Sequence, residues 1–431
     1  MRFAQLSCLA FAFAELLATQ IASAQPAPEP PPAAEPAPPP QPAPPAAAAP
    51  APAPAPEPAP APAPAAEPAP AARPAPTPLK LESANNSLKL GLLLQPQYEI
   101  AGSPTLTGVS HNLFVRRVRF LAAATLFKNV ELFFDTDYAD LFKGNQETGV
   151  KNTPGMYVQD AFGTFKAIDD ALKIDMGYML PPSTHNADQG AGTLYSWDYF
   201  NNSFRNSNAF NSSGNPVGRD AGVQVRGLVL DNHLEYRGGL FQGRRNPAAM
   251  DGKVGARNFF RFAARIQANI FDAETGFFYS GTYLGTKKVL SIGAMVDVQD
   301  DYIHWGGDVF ADLPLGPGVL TAQVNVAHYD GKNFLAVNAA VPTSTGLAKQ
   351  NSVMAEAGYL IDAINLSPIV RFEKQWVNTT DTTETRVGGG VAFWPYSHGF
   401  NVKAFLMHVT PDAAMQHGYN QFNLQTQVYI F

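Results

Sequence analysis

Cysteine is almost missing from this chain of 431 residues, Cys8 being the only one. It stands before most of the N-terminal apolar stretch, whereas a lipoprotein would need its cysteine after it. Past that stretch there is no thiol, which excludes disulfides, thiolate metal sites and a cysteine nucleophile. Also missing, beyond the first residues, is any uninterrupted apolar run of about 18 residues, so spanning helices are excluded. The eight histidines are scattered and none stands in a nucleophile motif, which leaves a surface lipase or protease without support. His185 with Asp188 offers only two ligands in a polar stretch, short of a metal site. Gly388-Gly389-Gly390 lacks the Lys-Ser/Thr that follows a phosphate-binding loop. No basic cluster marks a soluble nucleic-acid-binding domain. No catalytic residue, metal or cofactor is therefore expected.

The chain opens instead with the pattern of a secretory leader at 1–24. Arg2 gives a basic start, Phe3 to Leu17 is mostly apolar despite Glu15, and Ala22-Ser23-Ala24 is a small-residue cleavage site. An arm follows at 25–84, in which 26–78 alternate Pro and Ala with scattered Glu and Arg73. Such a segment cannot bury a core and is expected to stay extended without fixed structure, mostly as polyproline II. At ~3.1 Å per residue it reaches on the order of 160 Å, enough to cross much of a periplasm as a spacer or to touch peptidoglycan.

Residues 85–431 form one continuous unit with alternating segments. Leu88, Leu90, Leu92, Leu94, Tyr98 and Ile100 share one face, while Lys89, Gln95, Gln97 and Glu99 share the other. Val118, Phe120, Ala122 and Ala124 repeat the pattern opposite Arg117 and Arg119, and Leu132, Phe134 and Tyr138 repeat it opposite Glu131, Asp135 and Asp137. Period-2 alternation in a secreted, aromatic- and glycine-rich unit is the signature of an all-β, antiparallel transmembrane barrel with an apolar outside. A first reading gives seventeen strands, with 275–285 as one of them. Both termini at one end require an even number. With 271–287 read as a connection the count is sixteen, and the long segments at 101–111, 140–156, 181–219, 244–255, 330–350, 378–383 and 411–418 share one end. A barrel of that size encloses an aqueous channel. The chain ends on Phe431, a terminal aromatic typical of outer-membrane barrels, although Phe422, Leu424, Val428 and Ile430 form the more apolar register.

Alternation turns Arg117, Arg119, Arg226, Arg237, Arg261, Arg265, Arg371 and Lys403 inward. It turns Glu131, Asp135, Asp137, Asp175, Glu235, Glu356 and Glu373 inward too, and these can pair with the arginines across strands. Net charge does not choose the sign of the permeant. Of 30 basic and 36 acidic residues, the first 84 positions hold 3 and 6, so the barrel carries only about −3. Distribution along the wall matters more than the sum.

Several segments, in order, resemble the phosphate-selective porins O and P. They are Val115-Arg116-Arg117-Val118-Arg119, Gln159-Asp160-Ala161-Phe162, Gly218-Arg219-Asp220-Ala221-Gly222-Val223-Gln224 and Gly238-Gly239-Leu240-Phe241-Gln242-Gly243. Tyr283-Leu284-Gly285-Thr286-Lys287-Lys288, Asp308-Val309-Phe310 and the last strand continue the series. The resemblance implies a trimer of outer-membrane barrels in a Gram-negative bacterium, each narrowed by an inward-folded outer loop and passing small anions such as phosphate. The longest loop, 181–219, is then the constriction, carrying Tyr195, Trp197, Tyr199, Phe200, Asn201, Asn202 and Arg205. The inward arginines become the anion path, because guanidinium stays charged and offers paired donors to an oxyanion. A general or cation-preferring porin, or a barrel anchored to the cell wall through its arm, are the alternatives.

Overall fold

The computed structural model describes residues 76–205, 218–244, 259–332, 334 and 346–431. The leader, the arm up to residue 75 and positions 206–217 of the long loop lie outside the described residues. The end of the proposed arm is not all linker. Strand β1 (Leu79–Glu82) pairs antiparallel with Ser87 to Leu90 at the start of β2 (Ser87–Ala101).

The first half of the barrel continues with β3 (Ser110–Leu126), β4 (Val130–Leu141), β5 (Tyr157–Ile168), β6 (Leu172–Met179), β7 (Asp220–Val229), β8 (Leu234–Phe241) and β9 (Arg261–Asn269). The second half starts with β10 (Val289–Gln299), β11 (Tyr302–Pro314), β12 (Gly318–Asp330) and β13 (Gln350–Ile361). It ends with β14 (Leu366–Val377), β15 (Thr382–Tyr396), β16 (Phe400–Asp412) and β17 (Tyr419–Ile430). Each strand from β2 onward pairs antiparallel with the next, and β17 returns to β2 with Gln421 opposite Ala101 and Ile430 opposite Leu92. Setting β1 aside, sixteen strands close the sheet, which removes its free edges. The stretch 271–287 is the connection between β9 and β10, as the even count requires.

The barrel is inverted relative to a soluble protein. Leu90, Phe120, Phe134, Met176, Ile292 and Leu406 lie exposed on the outside, while Gln95, Gln97, Arg119, Asp135, Gln224 and Asn325 are buried inside. Strict alternation breaks at several register shifts, the first of them in β2. Pro96 in β2 cannot donate to the ladder, and the register shifts there, with Gln95 opposite Arg117 and Pro96 opposite Val115. The extra residue is Arg116, and the bulge lets Arg116 and Arg117 reach the same carboxylate, Asp198. Tight turns at the end bearing both termini use left-handed backbone at residues that tolerate it, such as Asp231 (φ 53°) and Asn232 (φ 69°).

Candidate permeation site

The long loop after β6 folds into the barrel rather than away from it. Tyr195 and Trp197 enter an apolar cluster inside the lumen with Trp394, Phe405, Met407 and Leu360. Tyr195 stacks parallel to Trp394 at 6.4 Å, and Trp197 meets Phe405 at 4.8 Å between ring centroids. Polar anchors complete the seat. Lys403 Nζ donates to the carbonyls of Leu194 (2.6 Å) and Ser196 (3.0 Å), and Arg371 donates to the carbonyl of Asp198 at 2.8 Å. Gly192 fits because a Cβ there would stand 2.8 Å from the Tyr429 ring. The loop is thus fastened along β12–β17, and Asp198 ties it to β3 through Arg116 and Arg117.

A second segment rises from the opposite end. The β9–β10 connection enters the lumen and runs beside the loop, with Gln189 and Tyr279 forming a parallel bridge. The Asp188 carbonyl accepts from Tyr279 N at 3.0 Å, and the Tyr279 carbonyl accepts from Gly190 N at 2.9 Å. Arg237 holds this segment by donating to the carbonyls of Phe277 (2.7 Å) and Gly276 (3.3 Å). Nothing in the alternation announces such a contact, since it joins two stretches without periodicity.

Among the described residues two cavities of about 350 Å³ each lie beside the inward segments. The one toward the far end is ionic, with Arg116, Arg117, Arg119, Arg219 and Arg386 set against Asp137, Asp140, Asp198 and Glu373. The one toward the termini is lined by Leu93, Leu121, Phe133, Phe278, Tyr429 and Phe431, with Arg119, Arg219 and Lys287 against Asp135. Arg119 and Arg219 line both, so they stand where the two cavities meet. Arg119 pairs with Asp137 at 2.9 Å and with Asp135 at 3.4 Å; Arg219 pairs with Asp160 at 2.9 Å.

The arginines expected to face inward do so, and each has a carboxylate partner. Arg226 pairs with Asp175 (2.8 Å), Arg237 with Glu235 (2.7 Å), Arg261 with Asp297 (2.6 Å) and Arg265 with Asp308 (2.6 Å). Arg371 joins Glu356 (3.0 Å) and Glu373 (2.7 Å). Of the seven, only Arg117 and Arg119 line the two large cavities; the others sit in the wall or hold the inward segments. Among the loop residues, Trp197 lines the far cavity, whereas Tyr195 is packed against the wall. Arg205 is exposed, contacts Asn202 and Gln375, and lines neither cavity. Arg219, Arg116, Arg386 and Lys287 were not singled out from alternation. Arg116 was hidden by the bulge, for which Pro96 was the available signal.

Electrostatics on the loop follows the same pairing. Burial opposes the charge on Asp198, but Arg116 and Arg117 outweigh it and hold its carboxyl well below the usual range. Burial pushes Asp188 up to about 6, despite the nearby Arg237 and Arg265. His185 Nε2 is hydrogen-bonded to Glu274 and its Nδ1 to Gln189.

No family model and no curated protein matches the chain. Solved structures do match. OprB of Pseudomonas putida is 10% identical with a TM-score of 0.53, over 80% of this chain and 94% of that one. OmpF of Salmonella typhi is 11% identical (TM-score 0.49, 81% and 100% covered). The outer membrane channel DcaP of Acinetobacter baumannii is 11% identical (TM-score 0.48, 82% and 100% covered). At these identities the likeness is one of fold.

Proposed function

We propose that this chain is a passive outer-membrane diffusion channel for small hydrophilic solutes that prefers anions, phosphate and similar oxyanions among them. The closed barrel suits a lipid setting because its backbone is paired internally and its apolar side chains face outward. In that setting the terminus-bearing end faces the periplasm, with the arm as spacer or cell-wall contact, and three copies associate as in the family resembled.

One observation carries the preference for anions: the cavities from the two ends share Arg119 and Arg219. In this reading a permeant passes both guanidiniums where the cavities adjoin, and low-dielectric walls strengthen the effect of fixed charge there. The paired carboxylates Asp135, Asp137 and Asp160 favour a general or cation-preferring channel instead. Substitution separates the readings. In planar bilayers the double variant R119Q/R219Q is expected to lose most of its anion-over-cation permeability ratio. An unchanged ratio, in barrels that migrate as folded, would remove the two arginines from the selectivity mechanism.

A further inference from the structure

The terminus-side cavity has a wall that a conduit for inorganic ions does not need. On β2 the inward residues run Gln97, Gln95 and then Leu93; on β3 they run Arg117, Arg119 and then Leu121. On β4 Asp137 and Asp135 give way to Phe133, and on β17 Gln425 and Gln427 give way to Tyr429, with Phe431 just past its end. These strands are neighbours, and Leu93 is opposite both Tyr429 and Arg119 in register. The change from polar to apolar therefore falls one inward position later on β3 than on β2, and one later again on β4, where Asp135 is opposite Leu121, across a continuous patch of inner wall. The β9–β10 connection brings Phe278 against this patch, at 5.6 Å from Phe133 in an edge-to-face arrangement, and Phe431 lies 5.9 Å from Phe133.

Some of this apolar surface seats the loop, since Ala191 packs on Leu93 and Leu121. Packing alone would close the space, yet about 350 Å³ stays open between aromatic walls. Arg119, Arg219 and Lys287 line this space with Asp135, while Asp137 and Asp160 pair with the two arginines from outside the lining. Arg219 also lies 5.9 Å from the centroid of the Phe278 ring, so a cationic group and an aromatic surface adjoin.

We propose that this cavity binds organic anions with an aromatic ring, aromatic monocarboxylates, on their way through the barrel. The inference rests on the channel reading above. The ring packs edge-on or offset among Phe133, Phe278 and Phe431, which removes apolar surface from water on both sides. The carboxylate points to Arg119 and Arg219, at the junction with the ionic cavity. A phosphate ion uses only the second half of this site, and a short aliphatic acid uses little of the first.

The test is block of single-channel current by benzoate, acetate and phosphate, with the full mature chain in a planar bilayer. Benzoate is expected to interrupt the current at about tenfold lower concentration than acetate, the difference being the buried ring. Phe278→Ala is expected to remove most of that difference and Phe278→Leu to keep part of it. Equal potency of benzoate and acetate on the unsubstituted protein overturns the proposal. So does undiminished benzoate block in a folded Phe278→Ala barrel. Failure of the channel reading is distinct: it appears in plain KCl, before benzoate is added, as missing conductance steps or a cation-selective potential.

Discussion

His185 and Glu274 meet inside the lumen at 2.9 Å between Nε2 and Oε2, both buried, although they enter from opposite ends of the barrel. Gln189 donates to His185 Nδ1 at 3.0 Å, so Nε2 is the ring nitrogen that donates to the carboxylate. The imidazole is stacked on Tyr279 at 4.7 Å and on Phe310 at 4.1 Å, which fixes its plane. One side-chain pair thus clips the long loop to the β9–β10 connection.

The clip has a defined pH window. Burial raises the Glu274 pKa, but His185 and the Tyr283 hydroxyl lower it further, leaving it below the ordinary 4.5. A depressed carboxylate stabilises the fold above its unfolded pKa, and that contribution is lost as pH falls through the folded value. Amide exchange at 275–281 should stay slow at neutral pH and accelerate below about pH 4.5 while the barrel strands remain protected. Glu274→Gln should bring the faster exchange to neutral pH. Protection unchanged in both experiments would mean the clip contributes nothing.

Asp198 takes Arg116 Nε at 2.7 Å and Arg117 Nη2 at 2.6 Å, binding the loop tip to the β3 bulge. Removing its charge leaves two guanidiniums short of a partner in a poorly hydrated place. Asp198→Asn should cost on the order of 3 kcal/mol of loop anchoring. It should also shift the reversal potential under a KCl gradient toward chloride, because the far cavity gains net positive charge. A shift toward potassium would contradict that sign.

Tyr195 and Arg205 belong to one loop but should respond oppositely to truncation. Tyr195 is 1% exposed within the inner apolar cluster, so Tyr195→Ala should cost about 3 kcal/mol or more and raise single-channel conductance as the loop loosens. Arg205 is exposed at the loop's described end, and Arg205→Ala should change stability by no more than about 0.5 kcal/mol. Heat-induced loss of the folded electrophoretic form measures both stability changes, and single-channel recording measures the conductance of Tyr195→Ala.

Much of the barrel is legible in the sequence because a wall one residue thick obeys a period of two. Leu90 outside and Gln95 inside follow from that period alone, and parity turns 271–287 into a connection without reference to its residues. The direction of each wall arginine is equally local. The partners are not: that Arg265 meets Asp308 depends on register between strands, and that Arg117 meets Asp198 depends on where an aperiodic loop folds. Arg219 stands just before β7, outside the alternating run, so periodicity gives it no orientation. Phe431 follows the same limit. Its place in the apolar register was unclear from sequence, and it turns inward to meet Phe133.

The most direct test of an anion-preferring channel is the reversal potential of the refolded mature protein in a planar bilayer under a KCl gradient. Discrete conductance steps with a chloride-selective potential are expected from the proposed path, whose two cavities share Arg119 and Arg219. A potassium-selective potential would give the selectivity to Asp135, Asp137 and Asp160, and correctly folded barrels without conductance steps would contradict the diffusion channel itself.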